Sequence, residues 1–547
     1  MRNLILAVTA VLLLLPLDPA REVQAAGQVD KFLDLGEFHL RRRSWNEAKR
    51  YFAKAKEASP GDVNAHVGYQ EAVLRSGKSE GLQTEYDNRH TRAPDNPANA
   101  YLLARLLDAG PALKILEKAP RPTFHVHLGK ARALRALDRG ADAAGEIATA
   151  EARCPEEPRA MGLLAGYFED GGRHEKAAEL YAAALKLAPK RIDALVGLAN
   201  NLRLAGKLDE AMTTIEKAAK IDGEDPEVLY RKGLVLFDKG DGIHAAQVLG
   251  GAVALAPKTI EFVLAWGEAF LLQEKYREAE RKFEIAVGLD ARRVDVRRRL
   301  AHAQELQDKN DAALKNYKEI VKRAPLDNGA RISIAWIYIK KGKYDSALRE
   351  LKQASDNDPK NAMPHFLIGY AYDKMGRWGE AADAYQKAVK LDPEYAWAWN
   401  NLGLDQNYLG KTPKAVRSFQ KAVKLDPENL EFQLNLAYAF YDSKKYKDAA
   451  ATFGDVVDLD PKMRTAWVGL GLSLKKMRKY AEAKDAFERA LELNSEDADL
   501  HLMVGIIYDE QLKDDAKALE HYEAYVKLGG TDPNVSRWIE EKQEKVK

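Results

Sequence analysis

His125 and His127 stand one residue apart, a spacing that could give a metal site two of its imidazoles. A zinc site needs further Cys, His or carboxylate ligands in phase, and none accompanies this pair, so it reads as a structural or exposed pair. Cys154, the only cysteine, directly precedes Pro155, and nothing beside it would depress the thiol pKa, so it reads as inert rather than nucleophilic. Asn534-Val535-Ser536 matches an N-glycosylation acceptor, a tripeptide that arises often by accident. The chain contains no glycine-rich phosphate loop and no nucleophile elbow. These residues predict a protein that is not an enzyme, with no catalytic residues, no cofactor, no bound metal and no small-molecule substrate. Its 85 Lys+Arg and 83 Asp+Glu leave a net charge of +2, and the two signs are interspersed, so nucleic acid is not an expected partner.

What remains is recognition chemistry. Trp336, Phe366, Tyr370, Trp397, Tyr408, Tyr438 and Tyr441 all fall on one helical face when the register described next is applied. Large aromatic side chains combine contact area with a polar handle and are enriched at binding hot spots. Seven of them within residues 328–442 exceed what packing requires. Asn400, Asn407 and Asp442 lie on the same face and could hold a ligand's backbone or charge. The expected ligand is a peptide or helix of another protein. Aromatic faces also stack sugars, which makes a glycan the lesser competitor.

These residues are positioned by a repeat. Pro155, Pro189, Gly223, Pro257, Ala291, Pro325, Pro359, Pro393, Pro427, Pro461 and Ser495 follow one another at intervals of 34 residues, and Pro60 and Pro94 show the same spacing. Residue types hold register within the period. Small residues recur at Ala347, Ala381, Ala415, Ala449 and Ala483, with Leu351, Tyr385, Phe419, Phe453 and Phe487 four places later. Apolar-small pairs such as Leu402-Gly403 and Leu470-Gly471 mark the first half of each unit. Each unit is therefore read as two amphipathic helices, a small residue on one admitting a large residue from the other. At ~100° per residue, places four, seven, eight and eleven of the first helix turn to one side, and places two, five, nine, twelve and thirteen to another. The second set carries the aromatic row.

Trp399, Leu402, Gly403, Ala415, Phe419, Ala422 and Pro427 occupy the signature positions of the tetratricopeptide repeat, and the pattern resembles that family from about residue 29 to 530. The resemblance implies an all-α, right-handed superhelical solenoid of helix-turn-helix repeats, with the first helix of each pair lining a concave groove. One helix pair cannot bury its own apolar face, so stacking is required in any case. The expected organisation is a signal peptide over 1–25, repeat-like units over 26–122 with 95–122 irregular, a regular array over 123–530, and a capping helix over 531–547. The last repeat is expected to carry one extra residue in its turn, at Leu512-Lys513-Asp514-Asp515.

The chain opens with Arg2, an apolar run from Leu4 to Pro16, and small residues at Val23 and Ala25. That order reads as a secretory signal cut after Ala25, although Asp18, Arg21 and Glu22 leave open a retained anchor. With no cysteine near its end, no lipid can be attached there. The expectation is an exported, periplasmic protein without a lipid anchor. Its expected role is a scaffold in a secretion, motility, pilus or cell-wall complex of the bacterial envelope. The alternative is an accessory to envelope polysaccharide synthesis or export.

Overall fold

The computed structural model describes residues 19–546, with side chains described from Gly27 onward. Most of the expected signal peptide lies outside the described residues, and the backbone of 19–25 forms the start of the helix Pro19–Arg41. Among the described residues there are α-helices, one π-helical segment and no strand, so the fold is the expected all-α stack of antiparallel pairs. The chain divides into two compact units, Met1–Lys309 and Asn310–Lys547.

In the regular repeats a first helix of about thirteen residues is followed by a second of fourteen, as in Ala396–Tyr408 and Thr412–Leu425. Asp and Asn caps start many of the first helices. Asp327 accepts from the backbone N–H of Ala330, Asn429 from Phe432 and Asp497 from Leu500. The proline signal acts one step earlier than a simple helix break. Leu425 is the last helical residue, and Asp426, the residue before Pro427, leaves helical geometry at φ −139° and ψ 84°. The freed proline carbonyl then accepts a side chain from the next first helix. Trp399 Nε1 donates to the Pro393 oxygen at 2.9 Å, and Trp467 Nε1 to the Pro461 oxygen at 2.9 Å. Arg331 and Gln433 make the same contact with Pro325 and Pro427.

The turn inside each pair needs one residue with positive φ. Gly410 supplies it at φ +71°, whereas Lys444 and Arg478 hold φ +61° and +62° in the next two repeats.

Two stretches depart from the period. Between Leu82 and Glu117 the helices shorten to Leu82–Arg92, Pro97–Ala104 and Ala109–Glu117. In the last repeat the extra residue is absorbed inside the first helix rather than in the turn. Ala498–Ile506 continues as a π-helical segment, Ile507–Leu512, which ends at Lys513 with φ +59°. The terminal helix Pro533–Val546 buries Val535 against the last pair, and its Lys542 is held between Asp509 and Asp515.

The core is a run of small-into-large contacts between the helices of each pair. Ala415, Phe419 and Ala422 are buried, and a Cβ added to Gly403 would lie 2.7 Å from the Phe419 ring. Gly369 meets Tyr385, Gly471 meets Phe487 and Gly505 meets Tyr522 in the same way. Replacing a mid-helix glycine by alanine normally stabilises by up to ~1 kcal/mol. Here the sign reverses. Gly403→Ala is expected to destabilise by about 1–3 kcal/mol in chemical denaturation, and a smaller residue at Phe419 should recover part of the loss.

Candidate functional site

The first helices are buried on two sides, by their own second helix and by the preceding pair, and this leaves a narrow exposed stripe. In Ala396–Tyr408 the buried residues are Ala398, Asn400, Leu402, Gly403, Asp405 and Gln406, spread around most of the circumference. The second helices are buried along one face only, as in Thr412–Leu425.

The structure separates the predicted row into three groups. Trp397, Tyr408 and Tyr438 are exposed, at 44%, 69% and 43% of their surface, and Asp442 is exposed beside them. Trp397 leans edge-on against Phe432 with ring centroids 4.9 Å apart, and Tyr408 stacks on Trp378 of the preceding repeat at 4.9 Å. Each ring is therefore held by a second ring while a large part of its surface stays open. Trp336 and Tyr370, on successive first helices, are half-buried and lie 5.8 Å apart, with the Lys374 ammonium 5.1 Å from the Tyr370 ring. Phe366 packs between Tyr385 and Tyr395, and Tyr441 packs against Tyr446, so these two close contacts within the stack. Asn407 is half-buried at the edge of the stripe.

Asn400 requires a correction. It is fully buried, accepts from Asn435 Nδ2 at 2.9 Å and lies within 3.3 Å of the Asn401 side chain, so it cannot reach a ligand. Its place in the helix turns toward the neighbouring pair, and an amide there is used to satisfy other buried amides.

Sequence reading missed the polar group beneath the row. Tyr385 Oη donates to Asp373 at 2.6 Å, Asn401 Nδ2 donates to Tyr385 Oη at 3.3 Å, and the Asp405 carboxyl hydrogen-bonds to Asp373. Asp405 is almost wholly buried, and burial together with the Asp373 charge pushes its pKa up to about 9. It is therefore a neutral donor to Asp373 at neutral pH. Tyr385 could be placed from the repeat as a core residue. The carboxyl pairing could not, because the two residues belong to different repeats.

The other candidates are placed as follows. His125 is half-buried against Tyr101 and Phe124, and the loss of solvent lowers its pKa to about 4. His127 Nδ1 pairs with Glu146 at 2.6 Å. Burial pushes the Cys154 thiol up to about 11, away from the reactive thiolate. Among the described residues, no three His, Cys, Asp or Glu side chains gather as a metal-binding group. None of their helices is long and apolar enough to cross a membrane.

A tetratricopeptide-repeat model matches residues 128–192, 264–328, 332–396, 400–464 and 468–533, and a second model of the same description matches 170–232. These matches cover more than half of the chain. The chain belongs to the tetratricopeptide-repeat family. No curated protein matches it. Similar solved structures include the APC/C hetero-tetramer Cut9-Hcn1, at 16% identity and a TM-score of 0.34 over 94% of this chain and 96% of that one. The C-terminal part of a TPR repeat-containing protein from Cytophaga hutchinsonii is 18% identical, with a TM-score of 0.39 over 44% of this chain and 98% of that one. YrrB, described as a TPR protein with an unusual peptide-binding site, is 20% identical, with a TM-score of 0.32 over 35% of this chain and 97% of that one.

The raised pKa of Asp405 makes stability depend on pH. The folded state holds this proton more tightly than the unfolded chain, so its contribution is complete below the ordinary carboxylate pKa and is lost as pH rises toward 9. Asp405→Asn keeps a donor but removes the titration. Urea denaturation should find the two proteins nearly equal at about pH 3.5, with the variant more stable by on the order of several kcal/mol at about pH 8.5.

Proposed function

We propose that this protein is a non-enzymatic scaffold that binds another protein along the exposed stripe of its first helices between residues 328 and 442. The observation that carries the reading is the set Trp397, Tyr408 and Tyr438, three exposed aromatics on two successive first helices. Each is braced by a second ring, so little side-chain freedom is lost when a ligand arrives. The exposed ring faces carry negative quadrupole density and Asp442 adds a carboxylate, so the stripe suits a peptide or helix that presents apolar side chains together with Lys or Arg. Trp336 and Tyr370 extend the same surface toward the N-terminal side of the unit, with Lys374 able to meet a partner carboxylate.

The proposed setting is the bacterial cell envelope, where the scaffold would assemble a secretion, motility, pilus or cell-wall complex after export. The basic and apolar order of residues 1–25 supports export to the periplasm, and the position of the lone cysteine supports release without a lipid anchor.

The test is crosslinking in cells with tagged protein, followed by capture and mass spectrometry, with Trp397→Ala, Tyr408→Ala and Tyr438→Ala combined in a parallel sample. Loss of about 2 kcal/mol or more of binding, some thirtyfold, is expected for the triple variant while its melting temperature moves little. Phe366→Ala should instead lower the melting temperature by the several degrees typical of a core truncation. A partner retained by the triple variant would move the site elsewhere on the stack. Capture of glycan in place of protein would overturn the scaffold reading in favour of a role in polysaccharide synthesis or export. The N-terminal residue of the mature protein checks the export reading, and Ala26 is the expected start.

A further inference from the structure

In the unit Met1–Lys309 the helix Pro19–Arg41 has two different faces. One is apolar: Val29 and Leu33 are buried against Ala48 and Phe52 of the following helix, Trp45–Ala58, and complete an ordinary repeat pair. The other is charged and meets residues more than a hundred positions away. Arg159 donates to Asp30 at 3.0 Å, Asp34 at 2.6 Å and Glu37 at 2.8 Å, and Arg191 donates to both oxygens of Glu37 at 2.9 Å. At the other end of the helix, Arg41 donates to Asp225 at 2.8 Å and Arg42 to both oxygens of Asp222 at 2.9 Å. Arg43 continues the line, with Glu227 at 3.6 Å and its guanidinium over the Phe262 ring at 4.7 Å.

The partners lie at the starts of four successive first helices, Pro158–Asp170, Ile192–Leu204, Pro226–Asp238 and Ile260–Leu271. Arg159 and Glu227 occupy the second place of their helices, the same place that Trp397 holds in its own. The lane therefore uses the surface that later in the chain carries the aromatic row, with charge in place of aromatic rings.

The contact is matched in order as well as in sign. Carboxylates from the middle of the helix onward meet arginines, and the arginines in and just past its last turn meet carboxylates, the placement of the arginines suiting the negative end of the helix dipole. Arg159 and Arg191 keep only 16% and 11% of their side-chain surface, so they are committed to this contact. Yet the junction is not a packed core. A cavity of about 1020 Å³ lies between Asp30, Asp34 and Glu37 on one side and Glu157–Arg159 and Ala188–Asp193 on the other. A wet, ionic contact of this kind weakens with salt, whereas the apolar face of the same helix does not depend on it.

We propose that this lane is a second protein-binding surface, specific for a helix with a row of carboxylates followed by arginines at its C-terminal end, and that the chain's own first helix occupies it in cis. A partner helix with the same charge order displaces the first repeat, which swings away together with the helix Val63–Arg75, against which its apolar core stays buried.

The test uses the full chain and a labelled synthetic peptide with the sequence of residues 27–43. A released variant carries Asp30→Lys, Asp34→Lys and Glu37→Lys. The peptide is expected to bind the released variant at least tenfold more tightly than the wild type, and several-fold more weakly as salt rises from about 50 to about 300 mM. Adding Arg159→Glu should abolish that binding, and a peptide carrying Asp30→Arg and Asp34→Arg, at the two carboxylates that accept from Arg159 and not from Arg191, should restore it. Equal binding to wild type and released variant, or no binding to a released variant of wild-type helicity and melting temperature, would overturn the proposal. If the released variant folds poorly, spin labels at Gln28 and Lys190 of the wild type put the question directly. A distance that lengthens in high salt supports a displaceable helix, and an unchanged one overturns it.

Discussion

The structure rests on one steric constraint, repeated along the chain: a residue without a Cβ, or with nothing beyond it, must face an aromatic or branched ring on the other helix of the pair. Gly403 against Phe419, Gly369 against Tyr385 and Gly471 against Phe487 bring two antiparallel helices close enough to interlock. The pair so formed still exposes an apolar side. It becomes stable only when the next pair covers that side, and the need propagates until something polar ends it. The helix Pro533–Val546 does this, placing Val535 inward while its solvent side is mostly polar and charged.

Because each first helix is covered from two directions, little of it remains for function. That scarcity gives the exposed residues their meaning. A side chain on the free stripe is there at the expense of solubility unless something binds it, and Trp397, Tyr408 and Tyr438 are costly residues to leave in water. The same stripe is written in charge in the N-terminal unit, where Arg159 and Arg191 face the carboxylates of the first helix. One backbone register thus carries two kinds of surface. The repeat supplies the position, and the residue placed there decides whether the contact is apolar or ionic.

The buried polar groups show what the stack tolerates. Asn400 and Asn435 satisfy each other across neighbouring repeats, and Asp405 remains neutral in order to donate to Asp373. Buried polar groups of this sort cost stability unless every partner is present, and they tie adjacent pairs to one relative register. Asp373 also links the core to the stripe, since it follows Tyr370 by one turn on the same helix.

The period of 34 residues, the small and large positions and the proline stops were legible because each is a local demand on helix geometry and close packing, repeated often enough to stand out. From them follow the all-α stack, the core positions of Ala415 and Phe419, and the face on which Trp397 and Tyr438 lie. Other features depend on residues brought together from different repeats, and no local pattern encodes such a meeting. The sequence could not show that Asn400 turns inward, that Phe366 and Tyr441 are spent on packing, or that Asp405 shares a proton with Asp373. Nor could it show that Arg159 would close on a helix more than a hundred residues earlier. Local sterics determine which helices form and how they pair. The distances between pairs, and hence burial, protonation and ionic contact, are decided only when the whole stack is assembled.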